Sequence, residues 1–264
     1  MKTIFITGAS SGLGKATAKL FAANGWNVIA TMRDPGKETE LQTIPGIITM
    51  TLDVTDASQV NEVVSKITSQ FDVDVVFNNA GYGLIGPLET VTDEQLARQF
   101  ETNVFGAMRV TRAFIPYFRE RKAGLFLTTT SIGGLIGLPL NSIYNATKWA
   151  LEGWTQGLSF ELHQLGIGIK TIAPGGIKTD FIGRSLDTTS HPAYQKMADQ
   201  LYAGFDPSTF TPAEEIAQQV YEAATDQKEQ VRYTAGNDAN AIYEAQQEIG
   251  IEAFRSATEK QYFG

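Results

Sequence analysis

Thr3-Ile4-Phe5-Ile6-Thr7-Gly8-Ala9-Ser10-Ser11-Gly12-Leu13-Gly14-Lys15 is the stretch whose reading decides the fold. A short β-branched run stops at a glycine-rich turn, and an amphipathic segment begins at Gly12. Strand, glycine turn and helix in that order make the first half of a βαβ unit. Glycines there permit a tight turn, close backbone approach to a pyrophosphate and close helix–strand packing. The helix N-terminus adds free N–H groups and a partial positive charge suited to phosphate. The spacing is G-x-x-x-G-x-G rather than G-x-G-x-x-G, so the strand–turn–helix context carries the reading more than the pattern does.

Outward from this turn the same alternation repeats. Candidate strands are Thr3–Thr7, Asn27–Met32, Ile47–Leu52, Val73–Asn78, Leu125–Thr130 and Gly168–Ala173, with a last one near Val231–Thr234. Several are apolar without alternation, as expected of strands covered on both faces by helices. Helices are predicted from Gly12 to about Asn24, after Asp56 as N-cap, from Thr92 to about Lys122, and from Ser142 to about Leu165. Thr92-Asp93-Glu94-Gln95 has the form of a capping box, and Pro116 is expected to kink or interrupt the helix that follows. From about Pro212 onward the pattern predicts helix, strand and a helical tail.

The expected architecture is α/β, a doubly wound parallel sheet of Rossmann type with helices on both faces. No linker, repeat or low-complexity tract divides the 264 residues, so residues 1–264 read as a single domain. Residues 180–211 stand apart. They carry Gly183, Ser185, Thr188-Thr189-Ser190, Pro192, Gly204 and Pro207 with weak periodicity, and a long irregular insertion of this kind is expected to be a substrate lid.

Composition bounds the function. A net charge of −8 with pI near 4.9 argues against nonspecific nucleic-acid binding. The chain has no cysteine, which excludes disulfides, thiolate catalysis and Cys-based zinc sites. No stretch approaches the roughly 20 apolar residues that span a bilayer, and no signal-peptide pattern opens the chain. A cytoplasmic protein without membrane partners is the expectation. The two histidines, His163 and His191, have no metal-ligand spacing and read as surface residues; Trp149 and Trp154 read as packing or subunit-interface residues.

The end of the second strand bears on the choice of dinucleotide. NAD-binding folds usually place an acid about 20 positions past the glycines, on the ribose 2′-hydroxyl. Here the stretch is Ala30-Thr31-Met32-Arg33. The acid is missing, and Arg33 supplies a planar cation able to pair with a 2′-phosphate, with Ser10 and Ser11 as further donors. The expected cofactor is NADP(H) rather than NAD(H). Asp34 is near enough in sequence to pair with Arg33 and consume its charge.

Tyr144-Asn145-Ala146-Thr147-Lys148 puts a phenol and an ammonium at i and i+4 on one helix face. A free tyrosine titrates near pH 10, and lowering that by ~3 units takes roughly 4 kcal/mol. A fixed cation nearby works in that direction. The Y-x-x-x-K spacing alone is common, so its weight comes from the motifs around it.

Those motifs, taken together and in order, resemble the short-chain dehydrogenase/reductase family, in its single-domain branch, over essentially the whole chain. The matching segments are Thr7–Gly14, Leu52-Asp53-Val54, Asn78-Asn79-Ala80-Gly81, Asn103, Ser131, Tyr144 with Lys148, and Pro174-Gly175-Gly176-Ile177-Lys178-Thr179. The resemblance implies a catalytic set of Asn103, Ser131, Tyr144 and Lys148. It implies cofactor contacts from Gly8, Ser10, Ser11, Gly12, Leu13, Gly14, Arg33, Asp53, Val54, Asn79, Ala80, Gly81, Tyr144, Lys148, Pro174, Gly175, Ile177 and Thr179. In the implied roles Tyr144 exchanges a proton with the substrate oxygen and Ser131 hydrogen-bonds that oxygen. Lys148 holds the nicotinamide ribose and depresses the tyrosine pKa, and Asn103 supports a water relay to Lys148.

The implied activity is interconversion of a ketone or aldehyde and a hydrophobic alcohol. The substrate is expected among Tyr82, Leu84, the Ile132–Pro139 stretch, Phe181 and Ile182. Arg232–Ala239 has a weaker likeness to steroid- and retinol-type members. Two other readings stand beside this one: a reductase of 3-oxoacyl thioesters, and a catalytically silent NADP(H)-sensing protein. The resemblance also implies a homo-oligomer, a dimer or tetramer built on the two long helices.

Overall fold

The computed structural model describes residues 1–179, 185–203 and 206–264. In chain order its strands and helices are β1 (Thr3–Thr7), α1 (Gly12–Ala23), β2 (Asn27–Met32), β3 (Ile47–Thr51), α2 (Ala57–Gln70), β4 (Val75–Asn78), β5 (Gly83–Ile85) and α3 (Asp93–Phe100). There follow α4 (Gly106–Arg121), β6 (Leu125–Thr129), α5 (Ser142–His163), β7 (Gly168–Pro174), β8 (Ile177–Lys178), β9 (Leu186–Thr188) and α6 (Gln195–Ala203). The chain ends with β10 (Thr211–Pro212), α7 (Ala213–Thr225), β11 (Arg232–Ala235), α8 (Asn237–Ile249) and α9 (Ile251–Phe263).

Seven strands form one parallel sheet in the order β11-β7-β6-β4-β1-β2-β3. All five residues of β1 are buried, because helices cover both faces of the sheet. On one face Phe21 of α1 and Ile216 and Val220 of α7 pack with Ile4 and Ile6. On the other, Val60, Val63, Val64 and Ile67 of α2 and Phe114 and Phe118 of α4 pack with Phe5, Ile29 and Phe126. Fully burying a side chain such as Phe114 contributes about 1.5–3 kcal/mol, so truncating it to alanine is a core-breaking change.

From β1 the chain turns to β2 on one side, while β4 lies on the other. The strand order therefore reverses between β1 and β4, and in open α/β sheets ligands bind at such a switch point, outside the carboxyl ends of the strands. Local signals read from sequence are realised there and nearby. Asp56 caps α2 by accepting from the Gln59 N–H at 3.0 Å. Thr92 and Gln95 form the reciprocal capping box of α3.

Two expectations need correction. The run 92–122 does not break at Pro116, which lies inside α4. Pro116 and Arg112, whose carbonyl loses its partner, both lie on the exposed face of the helix. The break is instead a π-turn at Glu101–Phe105. The second correction concerns 180–211, whose described part is not irregular. It contains β9, which pairs in parallel with β5, and α6. Asp180, Phe181, Ile182, Gly183 and Gly204 lie outside the described residues.

Candidate active site

The cradle at the switch point is shaped by backbone. Gly8 and Gly12 have φ of +67° and +52°, a region that disfavours side chains. A Cβ on Gly14 would run into the Gly8 carbonyl oxygen and the Asn79 amide, so only glycine lets α1 approach this closely. Ser11 is the N-cap of α1 but makes no side-chain capping bond, and the first turn carries no acid. The leading N–H groups are thus left to an anion, which is what a pyrophosphate requires. Leu13 is buried beneath the turn, whereas Ser10 is exposed at its rim. Lys15 does not contribute charge here: its ammonium is bound by Glu38 at 2.9 Å and Glu40 at 2.8 Å.

Arg33 stands exposed just past the end of β2. Asp34 does not consume it; the Asp34 carboxylate pairs with Lys37 at 3.1 Å and accepts from the Gly36 N–H. Glu38, the next acid along that segment, is buried and accepts from the Glu40 and Leu41 N–H groups. Asp53 lies past β3. One oxygen of its carboxylate accepts from the Thr55 N–H and hydroxyl, at 2.9 and 2.7 Å, and Val54 beside it is buried against Gly106.

Across the switch point the Thr7 hydroxyl accepts from the N–H groups of Asn79 and Ala80, at 3.0 and 3.1 Å. The Asn79 amide donates to the Thr7 and Gly8 carbonyls and accepts from the Thr129 hydroxyl at 3.1 Å. Strands β1, β4 and β6 are thereby locked together at the mouth. The opposite wall is Pro174-Gly175-Gly176, continued by Ile177 in β8, and Thr179. The Thr179 side chain faces Gly12, 3.4 Å from where a Cβ would sit.

The four predicted catalytic residues converge beside this cradle. Asn103 is buried in the π-turn at 2% exposure. Its amide donates to the Tyr82 carbonyl (2.9 Å) and the Thr147 hydroxyl (3.3 Å), and its oxygen accepts from the Tyr82 N–H at 3.0 Å. It therefore clamps the chain just after Gly81, and a Cβ on Gly81 would lie 3.1 Å from Asn103 Oδ1 and 3.9 Å from Lys148 Nζ. Lys148 is 6% exposed and donates to the Thr129 carbonyl at 2.9 Å. Its Nζ lies 5.7 Å from the centre of the Tyr144 ring. Burial lowers the Lys148 pKa to about 8, with the Glu152 carboxylate opposing.

Ser131 follows β6 and accepts from the Gly133 N–H at 3.1 Å, which opens a tight turn over Ile132–Gly134. Gly134 lets this turn lie directly on the backbone of Lys148, where a Cβ would come within 2.9 Å of the carbonyl oxygen. Burial pushes the Tyr144 phenol up, and its hydrogen bond with the Ser131 side chain works the other way. The direction is opposite to the depression that the family role implies. Tyr144 is nonetheless partly open to solvent, so a substrate can reach it.

The apolar residues expected to line a substrate pocket divide in two. Ile132, Leu135 and Ile136 are buried in a small core with Ala173, Ala239 and residues of α8 and α9, and Leu84 is also buried. Leu138, Pro139 and Tyr82 remain partly open. A cavity of about 530 Å³ lined by residues such as Phe160, His163, Gly166 and Lys228 lies at the other end of α5 and includes no predicted site residue. His191 and His163 are exposed.

Two acids escaped the sequence reading. Asp238, at the start of α8, accepts from the Gly176 N–H at 2.7 Å and fills the space beside Gly175, so it holds the wall segment in place. Glu152 is buried one turn beyond Lys148. The i, i+4 spacing to Lys148 was a usable signal for Glu152; nothing local marked Asp238.

A doubly wound sheet whose switch point opens onto a phenol and an ammonium defines the class: a dinucleotide-binding oxidoreductase of Rossmann type. The short-chain dehydrogenase family profile matches residues 2–189. The chain belongs to that family. It is 37% identical to retinol dehydrogenase 8 of Homo sapiens over 217 residues, covering 79% of this chain and 67% of that one. A short-chain dehydrogenase from Streptomyces avermitilis superposes with a TM-score of 0.84 at 31% identity, covering 98% of this chain and 97% of that one. A solved structure of ElxO with NADP bound gives 0.77 at 27% identity, covering 93% and 99%. Among the described residues no helix is long and apolar enough to cross a membrane.

Proposed function

We propose that this protein is an NADP(H)-dependent carbonyl reductase or alcohol dehydrogenase acting on a substrate with hydrophobic bulk, with Tyr144 as general acid and base. The observation that carries this reading is the convergence of Ser131, Tyr144 and Lys148 beside a glycine cradle. A nicotinamide supplies the hydride, or accepts it, when bound. The Tyr144 hydroxyl donates a proton to the carbonyl oxygen in reduction and takes it back in oxidation. Ser131 hydrogen-bonds the same oxygen and stabilises its developing charge. The Lys148 ammonium favours the phenolate electrostatically once the proton has left, and Asn103 keeps the Gly81–Tyr82 segment against it.

The pyrophosphate belongs at the N-terminus of α1, and Arg33 pairs with a 2′-phosphate. The exposed Arg33 guanidinium, which Asp34 does not pair with, the sequence Ala30-Thr31-Met32-Arg33 without an acid, and the consumption of Glu38 within its own loop support the phosphorylated cofactor. ElxO, which is solved with NADP, agrees with it. Asp53, Asn79, Ala80, Pro174, Gly175, Ile177 and Thr179 complete the cofactor wall. The described part of 180–211 serves as the substrate lid, held to the body of the chain by the β5–β9 pairing and the Arg98–Asp187 ion pair. The outward aromatics Phe105, Trp149 and Phe160 support a homo-oligomer built on the two long helical runs.

The test is NADPH and NADH oxidation in parallel, against ketones, aldehydes and 3-oxoacyl thioesters. Turnover of an apolar ketone or aldehyde with NADPH preferred is expected. Arg33→Ala should weaken NADPH by about 10- to 100-fold, the loss of a charge-assisted hydrogen bond, and leave NADH nearly unchanged. An NADH preference in the unaltered chain would overturn the cofactor assignment, and silence across the whole panel would overturn the enzyme reading.

A further inference from the structure

Glu152 lies on α5 one turn beyond Lys148, at 6% exposure, and plays no part in the proton transfer described above. A carboxylate taken out of water is costly unless its oxygens are paired. Here they are. Oε1 accepts from the Thr130 hydroxyl at 2.5 Å, and Oε2 accepts from the Thr171 hydroxyl at 3.3 Å and from Arg232 Nε at 2.8 Å. Arg232 of β11 also donates to the Tyr243 hydroxyl of α8 at 3.1 Å. One carboxylate thus joins α5 to β7, to β11 and to the residue that follows β6.

The position of Thr130 gives this network its consequence. Its neighbour on one side is Thr129, whose carbonyl holds the Lys148 ammonium. Its neighbour on the other is Ser131, whose hydroxyl pairs with Tyr144. We propose that Glu152 is a positioning residue: it fastens Thr129-Thr130-Ser131 to α5 and keeps a negative charge behind Lys148, with Arg232 setting how much of that charge is felt. This rests on the Tyr144–Lys148 reading.

Other charges on the elements around Lys148 are engaged elsewhere. Lys170 of β7 pairs with Asp226, Glu101 of the π-turn with Arg109, and Arg98 of α3 with Asp187. Among the described residues, the titrating group beside it within the site, other than Glu152, is Tyr144 on α5. Burial pushes the Lys148 ammonium down, and the Glu152 carboxylate works against that, making it hold its proton to higher pH. Removing Glu152's charge lets Lys148 release its proton sooner. Removing the neutralising Arg232 does the reverse.

The experiment is the pH profile of kcat for the full chain, Glu152→Gln and Arg232→Met, across about pH 6 to 10, which brackets the Lys148 ammonium at about 8. Glu152→Gln is expected to move the alkaline limb down by about one pH unit, and Arg232→Met to move it up by a similar amount. A role confined to packing lowers activity or stability in both variants and moves neither limb. Coincident limbs, or limbs displaced in one direction, would overturn the proposal. If Glu152→Gln does not fold, Arg232→Met decides alone: an upward shift supports the proposal and an unmoved limb overturns it. Tyr144→Phe in the same assay separates the two readings, because turnover surviving in that variant removes the premise and not merely the role of Glu152.

Discussion

At Tyr144 two environments oppose each other. Burial favours the neutral phenol, while Ser131 favours its ionised form, and burial is the larger effect. Burial thus keeps the proton on the phenol, the form able to donate it. Tyr144→Phe deletes the proton and little else. Turnover should fall about a thousandfold, within the range for general acid catalysis, while NADPH affinity measured by fluorescence stays within about twofold. Turnover near that of the unaltered protein would remove Tyr144 from the mechanism. The candidate residues were legible from the ordered motifs, but the direction of the tyrosine's shift was not. That direction depends on how deeply the ring is buried, which spacing does not encode.

At the scale of elements, α1 and the π-turn differ in what sets them. The helix start at Gly12 was legible because a turn glycine and a helix N-terminus are set by adjacent residues. Its closeness to β1 and β4 is equally strict. Gly14→Ala places a methyl against the Gly8 carbonyl and the Asn79 amide, so α1 must shift. The expected cost is about 1–3 kcal/mol of stability, as for overpacking, with at least a tenfold loss of NADPH affinity by calorimetry. Unchanged affinity would mean that the cradle is not the cofactor's. The π-turn at Glu101–Phe105 was not legible. No residue type demands an i→i+5 turn there, and Pro116 offered a more obvious break. What stabilises the turn is the pairing of Asn103 with Tyr82 and Thr147, contacts with segments 21 and 44 residues away.

Over the whole molecule, the rear of the sheet is tied by a partly buried cluster around Lys170. Lys170 of β7 donates to Asp226 at 2.7 Å and to the Ala223 carbonyl at 2.8 Å, and the Tyr233 hydroxyl donates to Asp226 at 2.6 Å. Burial alone would raise Asp226, but the bonds from Lys170 and Tyr233 outweigh it and hold the carboxyl at about 2. A carboxyl whose folded pKa is depressed contributes stability that is complete above its unfolded value and is lost as pH falls through the folded one. Urea melts should therefore lose up to about 2 kcal/mol between roughly pH 4 and pH 2 on account of this group. In Asp226→Asn that acid-side loss should shrink, while stability at pH 7 drops by about 3 kcal/mol because Lys170 is left buried without its counter-ion. An unchanged acid slope in that variant would assign the loss to other carboxylates.

Assembly belongs to the same scale. Phe105, Trp149 and Phe160 are 46%, 46% and 73% exposed on the π-turn and α5, and large exposed apolar side chains mark contact surfaces when they cluster. Sedimentation should give a dimer or tetramer, and Trp149→Glu should shift it toward monomer. A monomer at all concentrations would end the oligomer reading.

The sequence alone pointed to the parallel α/β architecture, the position of the glycine turn, the helix caps at Asp56 and Thr92, and Ser131, Tyr144 and Lys148 as candidate site residues. Each rests on short-range backbone requirements, on periodicity or on ordered motifs, all written in the chain. The tertiary structure decided that Arg33 is left unpaired by Asp34, and that Ile132, Leu135 and Ile136 are core rather than pocket. It also places Asn103 in a π-turn, Glu152 against Thr130, Thr171 and Arg232, and Asp238 against the Gly176 N–H. These depend on which distant segments meet when the sheet closes its order, and on what burial then does to a charge or a hydroxyl. A linear spacing specifies neither.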